Sequence, residues 1–420
     1  MPFVPTFRRT SLLTATAALV VFAAAALPRA AQAEALLLIE ADSGKVLQAD
    51  NATYPWYPAS LTKLMTAYVT LHEVKAGRIK LDTLLTVSPT AAAQQPSKMG
   101  FTPGTRLTVD NALKMMMVKS ANDMAVVLAE GVGGSIDGFS ALMNETAQQL
   151  GMTQSHFVNP NGLPAEGQVV SARDMGILAR AIFRNLPEYE FYMHIPAIKF
   201  GRRVTQNFNR LIGRYPGADG MKTGFTCPSG YNLVASAKRG DRHLIAVVLG
   251  APSVKVRGER TAHLLEDGFN GWPFWRLGQE VETLPVLPGE PPNLREQICG
   301  KKHGGHDKDE DEEVAQATAQ PPALAALAIT AASAEEALLA AKPATPAVPV
   351  RVFIGAAPKS GAQLLAKTPH PMQRPDGLSG PHEALDLGAV QATAFAPASA
   401  GHKGLKAPRV PLPFPRPARW

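Results

Sequence analysis

The sequence predicts an α/β protein of the α+β type: a mostly antiparallel sheet with a helical insertion, followed by a long disordered extension. Three observations predict this. Strand patterns stand at both ends of the region 34–276, at Ala35–Glu40 and again between Ala218 and Leu249. Helical periodicity fills the interval between them. After about Trp275 the composition turns to Pro and Ala, with an acidic run from Asp307 to Glu313 and no globular pattern. The 420 residues therefore divide into a signal peptide (1–33), one domain (34–276) and a low-complexity tail (277–420).

The elements follow in chain order. Arg8-Arg9, an apolar run from Ser11 to Leu27, and Ala31-Gln32-Ala33 read as the charged region, core and cleavage site of a signal peptide. A membrane anchor is the competing reading of the same run, and the Ala-x-Ala site favours removal. Either way the protein is exported, with the periplasm as the expected compartment. Ala35–Glu40 and Val46–Gln48 flank the turn Asp42-Ser43-Gly44-Lys45 as an N-terminal hairpin. Pro58 precedes a helix whose apolar positions Leu61, Leu64, Met65, Tyr68 and Leu71 keep the 3.6 period. Thr108 and Asp110 open a helix through Met117. Ser120-Ala121-Asn122 sits in the break before another, which ends near Gly131. Ser135 opens a third that Gly151 stops, and Ser171 caps a fourth running to about Arg184. Phe191–Phe200 is strand-like. Ala218–Thr226 is a strand, Tyr231–Ala237 and His243–Leu249 form a hairpin, and a last helix spans about Arg257 to Phe269. Val350–Ile354 reads as an isolated strand within the tail.

The net charge of +7 on an exported chain favours anionic surfaces such as cell wall or lipid headgroups. No nucleic-acid motif is present, and no cofactor or metal is expected. His303 and His306 beside the acidic run are read as solvated linker rather than metal ligands. The two cysteines, Cys227 and Cys299, meet an oxidising compartment. A bridge and two unpaired thiols both remain open.

Three short motifs carry chemistry: Ser60-Leu61-Thr62-Lys63, Ser120-Ala121-Asn122 and Lys222-Thr223-Gly224. Each alone is weak, since Ser-x-x-Lys and Ser-x-Asn arise by chance. Their ordered occurrence at domain-scale spacing is specific. A serine hydroxyl needs a base, and Lys63 lies one helical turn from Ser60 on the same face. A lysine acts as base only when neutral, a form favoured by the helix N-terminus and by a second cation, Lys222. The Ser60 amide is a candidate oxyanion donor. The Ser120 hydroxyl is suited to relaying a proton and the Asn122 amide to holding a carbonyl. Lys222 and Thr223 offer donors to a carboxylate, and Gly224 leaves room for a peptide backbone beside an edge strand.

With these motifs in place, the chain resembles the low-molecular-mass penicillin-binding proteins, the serine-type D-alanyl-D-alanine carboxypeptidases. The resemblance covers roughly Ala35 to Phe269. It extends to Pro58-Ala59 ahead of the nucleophile motif, His156-Phe157, Asn161-Gly162-Leu163, Ser171-Ala172-Arg173-Asp174-Met175, and Gly230 through Ala237. It implies a β-lactamase/transpeptidase-like domain that removes the terminal D-alanine from peptidoglycan pentapeptides through a serine acyl-enzyme. It implies that β-lactams acylate the same serine. Ser60 would be the nucleophile, Lys63 the base, and Ser120 and Asn122 would work from the second side. Lys222, Thr223 and Gly224 would bind the carboxylate end, the Phe225 amide would be the second oxyanion donor, and Arg257 would assist near the carboxylate.

Two departures stand out. Phe208 occupies a segment where some members carry arginine. Many members also add a small β-rich domain and end in an amphipathic membrane helix. Here the Pro-rich end Val410–Pro417 cannot be a helix, so membrane contact is expected to be weak or absent, limited to Lys403, Lys406 and Arg409. The rival functions are a D,D-endopeptidase using the same motifs, a β-lactamase with Glu166 as its glutamate, and a wall-binding protein that merely retains the fold.

Overall fold

A computed structural model describes residues 34–271, 278–300 and 348–356. The chain begins with β1 (Ala35–Glu40) and β2 (Val46–Asp50). Their turn carries Gly44 at φ 77°, which a side-chain-bearing residue rarely adopts. A 3₁₀ turn at Ala59–Leu61 leads into α1 (Thr62–Lys75). A short pair, β3 (Leu84–Thr86) and, after α2 (Pro89–Ala92), β4 (Arg106–Thr108), edges the helical layer. That layer continues with α3 (Val109–Lys119), α4 (Asn122–Gly133), α5 (Ile136–Gln149) and α6 (Ala172–Asn185). The hairpin β5 (Ala197–Phe200) and β6 (Arg203–Gln206) precedes three long strands, β7 (Ala218–Thr226), β8 (Gly230–Arg239) and β9 (Arg242–Ala251). After them come α7 (Val254–Phe269), α8 (Arg295–Cys299) and β10 (Val350–Val352).

Helix starts follow capping chemistry. The hydroxyls of Thr108, Ser135, Ser171 and Ser253 accept from the amides of Asn111, Gly138, Asp174 and Val256. Each such cap is worth about 1 kcal/mol.

The principal sheet runs β2-β1-β9-β8-β7, with every neighbour antiparallel and β7 at its outer edge. Alternation divides its side chains. Leu37, Ile39, Ile245, Val247 and Leu249 face the helical layer. Leu38, Leu244, Ala246 and Val248 face α7 through Ala262 and Leu265. At Gly176 of α6 a Cβ would lie 2.5 Å from Leu37 Cδ2, so this helix rests directly on the sheet. All of α3 is buried, which holds the break between α3 and α4 in the middle of the molecule.

Two readings from the sequence need correction. Phe191–Phe200 is not one strand. Pro187–Met193 is a 3₁₀ helix whose Tyr192 hydroxyl donates to Asp110 Oδ1 at 2.7 Å, and only the last four residues of the stretch are extended. The domain also does not end at 276. Val281 is fully buried, and its amide and carbonyl bond to Gly44 O and Arg173 Nε. Thr53 Oγ1 donates to Pro285 O at 2.7 Å, and the Leu294 amide donates to Pro228 O at 3.0 Å. Cys227 and Cys299 form a disulfide with their Cα atoms 5.7 Å apart. This segment has no period of its own because it is held contact by contact from outside.

The strand expected at Val350–Ile354 is not isolated either. β10 pairs parallel with β5, Val352 is buried, and the Phe353 amide donates to Asn111 Oδ1 at 3.1 Å. The leader (1–33), the acidic run with His303 and His306, and the Pro-rich end lie outside the described residues. Among the described residues no single helix is long and apolar enough to cross a membrane.

A chain ending at residue 276 is therefore expected to be less stable than the full chain. It lacks the disulfide, worth about 2–4 kcal/mol, and the apolar burial of Val281 and Leu294. Thermal unfolding of the two chains checks this, and equal midpoints would count against it.

Candidate active site

Ser60 lies in the 3₁₀ turn ahead of α1, half-buried, and Lys63 follows in the first helical turn with no exposed surface. The turn is strained: Ala59 stands at φ 47°, a left-handed value that costs a non-glycine residue on the order of 1–3 kcal/mol. Its surroundings impose that value. Asn232 of β8 donates through Nδ2 to Tyr57 O at 3.0 Å and Pro58 O at 3.3 Å. The Trp56 indole donates to Ser229 O at 2.9 Å. At Gly162 (φ 83°) a Cβ would sit 1.8 Å from Ala59 O, so only glycine fits against the turn.

Lys63 Nζ is 2.8 Å from Ser60 Oγ, 2.7 Å from Asn122 Oδ1 and 2.6 Å from Asn161 O. The Asn122 amide is oriented by its own contacts, because its Nδ2 donates to Gln95 O at 2.9 Å and Pro96 O at 3.1 Å. Asn122 Oδ1 and Asn161 O are acceptors only. The amine donates to both, and its 2.8 Å contact with Ser60 Oγ places the nitrogen where a proton can pass between Lys63 and the Ser60 hydroxyl.

Ser120 closes α3 in a left-handed conformation, φ 59° and ψ 28°. Its Oγ is buried and hydrogen-bonds to no group among the described residues. It shares one cleft with Ser60, Asn122, Gly162, Phe208 and Phe225. β7 closes this cleft. At Gly224 a Cβ would lie 3.0 Å from the Ser60 amide nitrogen, so the strand passes directly against the nucleophile turn. The Phe225 ring stacks on Tyr231 at 4.2 Å. Lys222 and Thr223 are buried beside it on β7, with Lys222 Nζ donating to Thr223 O at 2.9 Å.

The structure thus brings the three motifs together. Arg257 is buried at the start of α7 and donates to Asn232 O at 3.4 Å. Phe208, where some similar proteins carry arginine, forms part of the cleft wall. Glu166 is exposed and is not among the residues that line the Ser60 cleft. Sequence reasoning gave no role to the Asn161 carbonyl, to Gly162 or to Asn232. The Asn161-Gly162 pair was the available signal, since such a dipeptide marks a left-handed turn.

Gly162→Ala is expected to slow penicillin acylation severely and to lower stability by about 1–3 kcal/mol. The added methyl must displace the Ala59 carbonyl and with it Ser60. Acylation kinetics alongside a denaturant melt measure both effects, and unchanged acylation would refute the bracing role.

Comparison with known proteins agrees with this geometry. The sequence profile of the family described as Peptidase S11, D-alanyl-D-alanine carboxypeptidase, matches residues 21–253. D-alanyl-D-alanine carboxypeptidase DacC of Escherichia coli is 41% identical over 245 residues, spanning 56% of this chain and 61% of that protein. Penicillin binding protein 5 from Haemophilus influenzae superposes with a TM-score of 0.55 at 36% identity, over 58% of this chain and 72% of that one. Penicillin-Binding Protein D2 from Listeria monocytogenes, in its cefotaxime-bound form, gives a TM-score of 0.52 at 29% identity, over 58% of this chain and all of that one. With Ser120 and Asn122 lining one cleft with Ser60, Gly224 against the Ser60 amide, and the profile covering more than half its length, this chain belongs to the peptidase S11 family, the serine D-alanyl-D-alanine carboxypeptidases.

Proposed function

We propose that the protein is an exported, periplasmic enzyme that removes the terminal D-alanine from peptidoglycan pentapeptide stems, and that β-lactams acylate the same serine. The observation that carries this reading is Lys63 Nζ at 2.8 Å from Ser60 Oγ, with the edge strand β7 laid against the Ser60 amide.

In this reading Lys63 takes the Ser60 proton as Oγ attacks the carbonyl carbon of the penultimate D-alanine. The developing oxyanion lies between the amides of Ser60 and Phe225. The C–N bond breaks, and the proton reaches the leaving amine through the Ser120 hydroxyl, the buried polar group without a partner in the cleft. A water molecule then attacks the ester carbon and gives its proton to Lys63; the bond to Oγ breaks and Lys63 returns the proton to Ser60. Lys222 and Thr223 receive the terminal carboxylate. An extended stem pairs with β7, whose outer edge the sheet leaves open. Arg257 assists near the substrate carboxylate; it donates to Asn232 O, and the Asn232 side chain supports the nucleophile turn.

Incubating the mature protein with a purified pentapeptide muropeptide tests the reading. Free D-alanine and a tetrapeptide product are expected, together with covalent labelling by a fluorescent penicillin. Release of monomers from a cross-linked dimer without D-alanine from the pentapeptide would replace it by an endopeptidase. No labelling would point to a wall-binding role.

A further inference from the structure

Two amides hold the oxyanion in the reading above, and they belong to distant parts of the chain. Ser60 stands in the turn that follows Trp56, and Phe225 stands near the end of β7. The two stretches meet at the turn Cys227-Pro228-Ser229, which joins β7 to β8. Ser229 closes this turn. The Thr226 amide donates to Ser229 Oγ at 3.0 Å, and the Ser229 amide donates to Thr226 O at 3.0 Å. From the nucleophile side, the Trp56 indole donates to Ser229 O at 2.9 Å.

The segment 278–300 grips the same two stretches from outside. Thr53 Oγ1, ahead of Trp56, donates to Pro285 O at 2.7 Å. The Leu294 amide donates to Pro228 O at 3.0 Å, and a Cβ at Gly230 would lie 3.1 Å from Leu294 Cδ1. Cys227 is buried two residues after Phe225, and its bond to Cys299 makes the grip covalent. No residue of α8 is fully buried, so the disulfide, rather than burial, fixes the end of the segment.

Catalysis is sensitive to such placement, since moving a reacting group by about 1 Å costs on the order of a hundredfold in rate. We propose that the Cys227–Cys299 disulfide is a positioning device for the reaction. By fixing the β7–β8 turn against the segment 278–300, it holds the Phe225 amide in place relative to the Ser60 amide. Opening the bond then slows acylation in an enzyme that stays folded. The inference rests on the carboxypeptidase reading above. It adds a consequence for rate to the stability that a bridge across 72 positions brings. It also makes the segment beyond the expected domain end a support of the oxyanion site.

The test compares the oxidised full mature chain with the same chain reduced by dithiothreitol, whose two thiols become a disulfide as the two cysteines are released as thiols. Cys299 is half-buried at the end of α8 and is the more accessible point of attack. The double variant Cys227→Ser, Cys299→Ser opens the bond without a reductant. Each form is assayed below its melting transition, for the acylation rate constant and binding constant of a fluorescent penicillin and for kcat and KM on a pentapeptide muropeptide. Both rate constants are expected to fall about tenfold in the reduced chain and the double variant, less than the hundredfold or more of a lost oxyanion donor. The binding constant and KM are expected to change little. Reoxidation should restore the wild-type rates, and dithiothreitol should leave the double variant unaffected. Val281→Ala separates this from stability alone, because it weakens the far end of the same segment with the bond intact. It is expected to lower the melting midpoint and leave the acylation rate constant unchanged. Equal acylation by the oxidised and reduced chains, or an equal loss in Val281→Ala, would overturn the proposal. So would a reduced chain and a double variant that both lack a cooperative melt, since the bond would then hold the fold rather than the site. If the oxidised wild type takes no label and releases no D-alanine, the carboxypeptidase reading itself fails, a result distinct from equal rates in two active forms.

Discussion

Ser60→Ala is expected to abolish penicillin labelling and D-alanine release together, lowering kcat/KM by about a thousandfold or more, while the thermal transition stays close to that of the wild type. The two activities fall together because one oxygen atom forms both acyl-enzymes. Stability is spared because Ser60 is half-buried and the strained turn around it is held by other groups, namely Asn232, Gly162 and Trp56. Peptide mapping of any residual label decides the assignment. Label found on another serine, or D-alanine release persisting in the variant, would remove Ser60 from the reaction.

Lys63→Arg is expected to be nearly as damaging to acylation, by about a hundredfold or more, although the positive charge is kept. A guanidinium stays protonated at any working pH, so it cannot take the Ser60 proton. It is also larger and planar, at a position with no exposed surface whose three acceptors lie at 2.6–2.8 Å from a single nitrogen. Because that misfit alone would disturb packing, Lys63→Met belongs beside it, with a melt of each variant. Methionine fits the apolar stem but leaves the Asn122 and Asn161 carbonyl oxygens without their donor. Acylation near the wild-type rate in either folded variant would show that Lys63 serves only as a charge, and the base would have to be sought elsewhere.

Much of the site was legible because its chemistry is local. Ser60 and Lys63 must lie one helical turn apart for proton transfer, so their spacing is written in adjacent residues. Gly224 was legible as room for a substrate backbone, and the structure adds a second reason, since a Cβ there would lie 3.0 Å from the Ser60 amide nitrogen. The long strands showed themselves by alternation, as at Leu37, Leu38 and Ile39, because each face of the sheet packs on a separate apolar cluster. β3 and β4, at three residues each, are too short to display any period. The Phe191–Phe200 stretch is aromatic and apolar enough to read as a strand, but the buried Tyr192–Asp110 contact favours a 3₁₀ path.

The sequence by itself determined the reacting groups, their order along the chain and the class of fold that carries them. These follow from side-chain chemistry and from periodicities of 3.6 and 2 residues, which are properties of neighbouring positions. Only the tertiary structure decided that the Asn161 carbonyl completes the Lys63 environment and that Gly162 must be glycine against Ala59. It also decided that Cys227 and Cys299 are joined, and that the segment 278–300 packs back on the domain through Val281 and Leu294. Lys63 and Asn161 are 98 positions apart, and the two cysteines are 72 apart. No local pattern encodes such pairs, because each is created only when the sheet and the helical layer close on one another.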